Sequence, residues 1–123
     1  MVLDWYSRRV VENHVNFHLF NSFPIPDVAP ATNSMALHVA EIAGRLAAID
    51  DRFSDWAAEV GVPVGSVTSD VDKDDLIAEL DAVGAYLYGL DEDDLEVIYT
   101  TFHKGADYSQ RQANVLDHFR RLS

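Results

Sequence analysis

Residues Leu80 to Phe102, LDAVGAYLYGLDEDDLEVIYTTF, hold the end of one helix, its stop, a cap and a second helix in one uninterrupted run. The first helix starts upstream, at Ser69 with Asp72 three residues on. That spacing is a capping box with Asp in place of the usual Glu or Gln, and the acidic residues crowding the first turn favour the positive end of the helix dipole. Leu76, Ile77, Leu80, Val83, Leu87 and Tyr88 then fall on one helical face. Gly89 follows at once, where a helix end takes a left-handed residue that glycine adopts most cheaply. Asp91 can cap the second helix, whose apolar side is Leu95, Ile98, Tyr99 and Phe102 and whose stop is Gly105. Two helices joined this tightly pack as a hairpin.

Working outward, Ser109 to Leu122 reads as a last helix using Val115, Leu116, Phe119 and Leu122. Upstream, Asn33 or Ser34 can cap a helix in which Met35, Val39, Ile42, Leu46, Ile49, Phe53 and Trp56 recur at alternating spacings of four and three. Because the phase never changes, the pattern predicts one continuous helix to Val60, stopped by Gly61, over two collinear helices broken near Asp50 and Asp51. A strict seven-residue repeat also suits pairing with another helix. The connection VGVPVGSVTSD is a loop. Met1 to Val11 reads as a short helix. HVNFHLFNSF, residues 14 to 23, alternates apolar and polar positions and predicts a half-buried strand, which runs into the proline-marked segment FPIPDVAP. The expected fold is therefore mainly α, a helical bundle or hairpin with a short β segment near the N-terminus.

A chain of 123 residues is one domain by length, and 48% hydrophobic content excludes a disordered chain. No apolar run reaches the 18 residues of a membrane span and no signal-peptide pattern opens the chain, so a cytoplasmic protein without a membrane partner is expected. With no cysteine there is no disulfide, thiolate zinc site or cysteine nucleophile. Fifteen Asp and six Glu against two Lys and seven Arg give a net charge of −12, which opposes wrapping a polyanion. A halophilic adaptation explains such a surface, as does a scaffold whose basic partner surface lies elsewhere.

The chemistry of the chain is defined by missing motifs. It has no Pro-Pro, as an adenine-methylating base pocket needs, and no Gly-x-Gly turn for S-adenosylmethionine. Lysines of the common metal-dependent nuclease motif follow an acid by two residues, but Lys73 follows Val71 and Lys104 follows Phe102. Asp70, Asp72, Asp74 and Asp81 have the spacing of a calcium loop, yet Asp75 stands where the turn requires glycine, and a helix start suits these residues better. His14 and His18 would meet around zinc on a helix but not on the expected strand. No catalytic residue, metal or cofactor is assigned to this chain.

The central run resembles the signature ELDALVAxLYGLxxEELxYILxTF near the C-terminus of type IIG restriction-modification enzymes and related adenine-specific DNA methyltransferases. Glu79, Leu80, Asp81, Ala82, Leu87, Tyr88, Gly89, Leu90, Leu95, Ile98, Thr101 and Phe102 carry it, and His14, Asn16, Pro24 and Pro26, with Phe17 one position out of register, match the family's THxNxFxxxxLPxP exit from target recognition. With the last helix included, the resemblance covers nearly the whole chain. It implies that residues 1–26 are the end of a target-recognition region, helix plus strand, and 27–123 a helical C-terminal tail. It further implies a non-catalytic part of a methyltransferase or restriction-modification enzyme, with DNA and the catalytic methyltransferase region as partners and S-adenosylmethionine bound by the parent enzyme. Candidate DNA contacts are Arg8 and Arg9, which can donate to phosphates, and Asn13, His14, Asn16, His18 and Asn21, which can bond base edges or backbone. The competing expectation, from charge alone, is a small acidic interaction protein or DNA mimic without an enzymatic role.

Overall fold

The computed structural model describes residues 1–11, 17–27, 33–102 and 107–122. They form α1 (Val2–Val10), the single turn α2 (Phe17–Phe20), α3 (Asn33–Ala47), a 3-10 turn (Asp51–Phe53), α4 (Ser54–Val60), α5 (Asp70–Leu87), α6 (Glu92–Phe102) and α7 (Ser109–Leu122). The fold is mainly α, and no strand occurs among the described residues. No described helix is long and apolar enough to cross a membrane.

Helix α5 is the centre of the bundle, packing most extensively on α7 and then on α3. Its start is the predicted one: Ser69 accepts a hydrogen bond from the Asp72 amide at 3.1 Å. Its end is a Schellman turn in which the Leu90 amide donates to the Ala85 carbonyl and the Gly89 amide to that of Tyr86, both at 3.0 Å. Gly89 has φ +69°, so the glycine is there for its backbone. A reciprocal capping box then opens α6: the Asp94 amide donates to the Asp91 carboxylate at 2.9 Å, and the Asp91 amide to that of Asp94 at 3.1 Å. The expected stop at Gly105 lies outside the described residues.

What α5 buries differs from the apolar side read in the sequence. Ala78, Ala82 and Ala85 are its most deeply buried residues, meeting Leu95 and Tyr99 of α6 and Val115 and Phe119 of α7 in one cluster. Leu76 and Val83 are also buried, at positions turned toward the α3 side, whereas Leu80 and Leu87 are only half buried. Alanines let helix axes approach closely, so a helix enclosed on two sides need not show a single large apolar face. Polar residues at the edges of these interfaces pair across them. On the α7 side His118 pairs with Asp75 at 2.9 Å and Arg111 with Asp74 at 3.1 Å, and on the α3 side His38 pairs with Glu79 at 2.8 Å.

Two expectations are corrected. The strand across residues 14–23 is not formed at its described part, since residues 17–20 are a helical turn closed by the Phe23 amide on the Phe20 carbonyl at 3.1 Å. A lone alternating segment needs a partner strand for its backbone groups, and the described residues supply none. The continuous helix to Val60 is also absent. α3 ends at Ala47, and Asp50, extended at φ −157°, accepts from the Arg52 amide at 3.0 Å and so caps a new turn. The chain then doubles back. Ala48, Ala57 and Val62 form a second small core, with Phe53 and Val64 against it. Gly44, inside α3, is where the segment after α4 comes close: a Cβ placed there would lie 3.0 and 3.2 Å from the Val62 methyls and 3.3 Å from Val60 Cγ1. Ile49 and Trp56, which belong to the expected apolar stripe, are exposed as a result.

Candidate nucleic-acid interface

The described candidate DNA contacts lie on α1, on α2 and in the turn after α2. Arg8 bonds Asp4 one helical turn back at 2.9 Å. Arg9 places its guanidinium 5.2 Å from the Trp5 ring centroid and donates to the Thr101 carbonyl at 3.1 Å. A cation over an indole face is favourable in itself, and a guanidinium on a carbonyl in the last turn of α6 complements that helix's negative end. His18 and Asn21 are exposed. Asn13, His14 and Asn16 lie outside the described residues. Arg9 is therefore engaged within the chain, where the sequence alone marks it as a phosphate ligand.

Residues that sequence reasoning read only as helix formers or as matches to a signature prove to be the polar joints of the fold. Thr101 accepts from the Trp5 indole N–H at 3.0 Å, which fastens α1 to α6. Asp81 forms an ion pair with the Met1 amino group at 3.1 Å and accepts from the Tyr99 hydroxyl at 3.4 Å. Burial raises the Tyr99 phenol far above its ordinary range, and the Asp81 carboxylate beside it acts in the same direction. Tyr88 donates to the Pro24 carbonyl at 2.7 Å, tying the proline segment to the end of α5, and partial burial raises its phenol too. No local signal marks these pairings, because each joins residues at least 18 positions apart.

The acidic runs take ordinary structural positions. Asp70, Asp72, Asp74 and Asp75 lie on the first turns of α5 rather than in a loop, and among the described residues no group of three or more acidic or histidine side chains is placed to hold a metal. At the N-terminus of α6, Glu92 is bonded by Arg120 at 2.6 Å and 3.0 Å, and that guanidinium holds its carboxyl below the usual range. Asp50 is lowered by hydrogen bonds from Arg52, and Asp107 by hydrogen bonds from the Ser109 hydroxyl and amide. Between α1, the Ile25–Pro26 segment, α3 and α5 runs an apolar cleft of about 290 Å³, bordered by Leu3, Ile25, Val39, Leu80 and Leu87. Among the described residues, its lining holds no constellation of nucleophile, base and orienting group.

No protein-family profile, curated protein or solved structure matches this chain.

Proposed function

We propose that this chain is a non-catalytic helical brace, the C-terminal part of an adenine-specific DNA methyltransferase or restriction-modification enzyme, which carries the end of a target-recognition region and helps to hold DNA. One observation supports the reading above others. The polar residues through which the chain resembles that family, Glu79, Asp81, Tyr88 and Thr101, are bonded to α3, to Tyr99 of α6, to the proline segment and to α1 respectively. A signature kept for bracing would consist of such joints. DNA contact in this reading falls to α1 and to the segment after it, with Arg8 at phosphate and His18 and Asn21 beside it, positioning the duplex more than specifying sequence.

Genomic context tests the proposal directly. An Asn-Pro-Pro-Tyr-like motif encoded in frame upstream of Met1, or in an adjoining gene, is the expected result, and a neighbourhood without a methyltransferase gene overturns it. The acidic alternative is separable by competition. A DNA mimic would displace duplex from a basic DNA-binding enzyme, and neutralising Asp70, Asp72, Asp74 and Asp75 together would abolish that displacement. A brace would not compete.

A further inference from the structure

We propose that the outer face of the α3–α4 hairpin is a docking surface for a basic amphipathic helix of a partner protein. This inference stands on the geometry of the hairpin and is independent of the DNA-enzyme reading. The chain has two tryptophans, and they are used oppositely. Trp5 is bonded to Thr101 and covered by Arg9. Trp56 is 40% exposed, and its indole N–H has no hydrogen-bond partner among the described residues. Val60, one helical turn further on α4, is 38% exposed, so the two side chains form one apolar row along the helix. The row continues onto α3. Val60 reaches Gly44, and Leu37, seven residues before Gly44 and hence on the same side of α3, is 64% exposed. A large aromatic with aliphatic neighbours is the usual anchor of a protein interface.

Charge selects the occupant. Asp55 and Glu59 stand beside Trp56 and Val60 at the same four-residue spacing, and Glu41 lies between Leu37 and Gly44. All three carboxylates are exposed and, like Asp51, Asp70, Asp72, Asp93 and Glu96, have no cation partner among the described residues, but these three flank the row of Leu37, Trp56 and Val60. The nearest cations do not cover the row, because Arg45 turns to Ser66 and Arg52 is held by Asp50. An apolar row rimmed by unpaired carboxylates fits a helix with leucine-like residues on one side and Lys or Arg flanking them. A second copy of this chain, at −12, brings the wrong charge.

The test uses the full chain labelled for NMR and a synthetic helical peptide with leucines at heptad a and d positions and lysines elsewhere. A control peptide has the leucines replaced by serine. The expected result is binding of the leucine peptide with the largest shifts at the Trp56 indole and the α4 amides. Trp56→Ala, and separately Val60→Ser, should weaken it by roughly tenfold or more, as loss of an anchor does. Asp55→Asn with Glu59→Gln should reduce its dependence on salt. Absence of binding, equal binding of the serine peptide, shifts centred on Asp70 to Asp75 or on Glu92 to Glu96, or unchanged affinity in both the Trp56 and Val60 variants each overturn the proposal. Self-association of the chain that disappears in Trp56→Ala would assign the face to a second copy and overturn it likewise.

Discussion

Replacing Gly44 by alanine sets two effects of similar size against each other, and the structure decides their sign. Alanine favours an α-helix interior over glycine by about 1 kcal/mol. The new Cβ, however, would sit 3.0 and 3.2 Å from the two Val62 methyls and 3.3 Å from Val60 Cγ1, tighter than ordinary contact on three sides at once. Overpacking of this kind costs about 1–3 kcal/mol, so Gly44→Ala should be neutral to destabilising by up to about 2 kcal/mol. In a Val62→Ala background two of the three close contacts vanish, and Gly44→Ala should become stabilising, approaching the full helix-propensity gain. Urea denaturation of wild type, both single variants and the double variant, followed by circular dichroism, gives the coupling directly. The refuting result is a gain of about 1 kcal/mol in both backgrounds. That would mean Val62 does not reach α3, as in a continuous helix, where residue 62 would stand about 27 Å from residue 44.

Other expectations follow from the same geometry. Leu95→Ala, at a fully buried position, should cost about 2–5 kcal/mol and Leu80→Ala at the cleft edge clearly less; the opposite order by denaturant titration would misplace the core. Ser69→Ala should cost about 1 kcal/mol through its lost cap, and Gly89→Ala about 1–2 kcal/mol through its positive φ, both read as changes in denaturation midpoint. The carboxyls of Glu92, Asp50 and Asp107 are lowered in the fold, so the stability they contribute is present above the unfolded carboxylate range and is lost as pH falls through their folded values. Relief of acidic self-repulsion opposes this over the same range, so the informative quantity is the difference between wild type and Glu92→Gln, which should shrink between about pH 5 and pH 3. If the Asp excess is a salt adaptation, the thermal midpoint should climb steeply as potassium chloride rises from dilute buffer into the molar range, and a flat response would remove that explanation.

The parts of the fold legible in the sequence are those specified by local chemistry. Ser69, Gly89 and Asp91 each act on backbone groups within a few residues of themselves, so the α5–α6 junction could be read directly. The break after Ala47 was less visible, because Asp50 and Asp51 fit the polar side of a continuous heptad as well as they fit a cap, and the deciding contact at Gly44 is tertiary. The alanine interface of α5 was hidden for a related reason: small residues become core only when a neighbouring helix approaches, and apolar periodicity favours large side chains. Among the candidate contacts, Arg9 carried an ambiguous signal. An arginine beside a tryptophan suits a phosphate or an indole face equally, and the partner that settles its position, Thr101, is 92 residues away.

The attachment of α1 has a kinetic consequence. None of its residues is buried, and it is held by Trp5 and Arg9 on Thr101 and by Met1 on Asp81, contacts that close loops of 80 residues or more. Closing such loops is entropically costly, and little buried apolar area offsets the cost. The α5–α6–α7 unit, contiguous in the chain, can form first, with α1 docking late and lifting first in native-state opening. Amide protons of α1 should therefore exchange well before those of α5, so that Arg8 and Arg9 ride on a helix whose release leaves the central core intact.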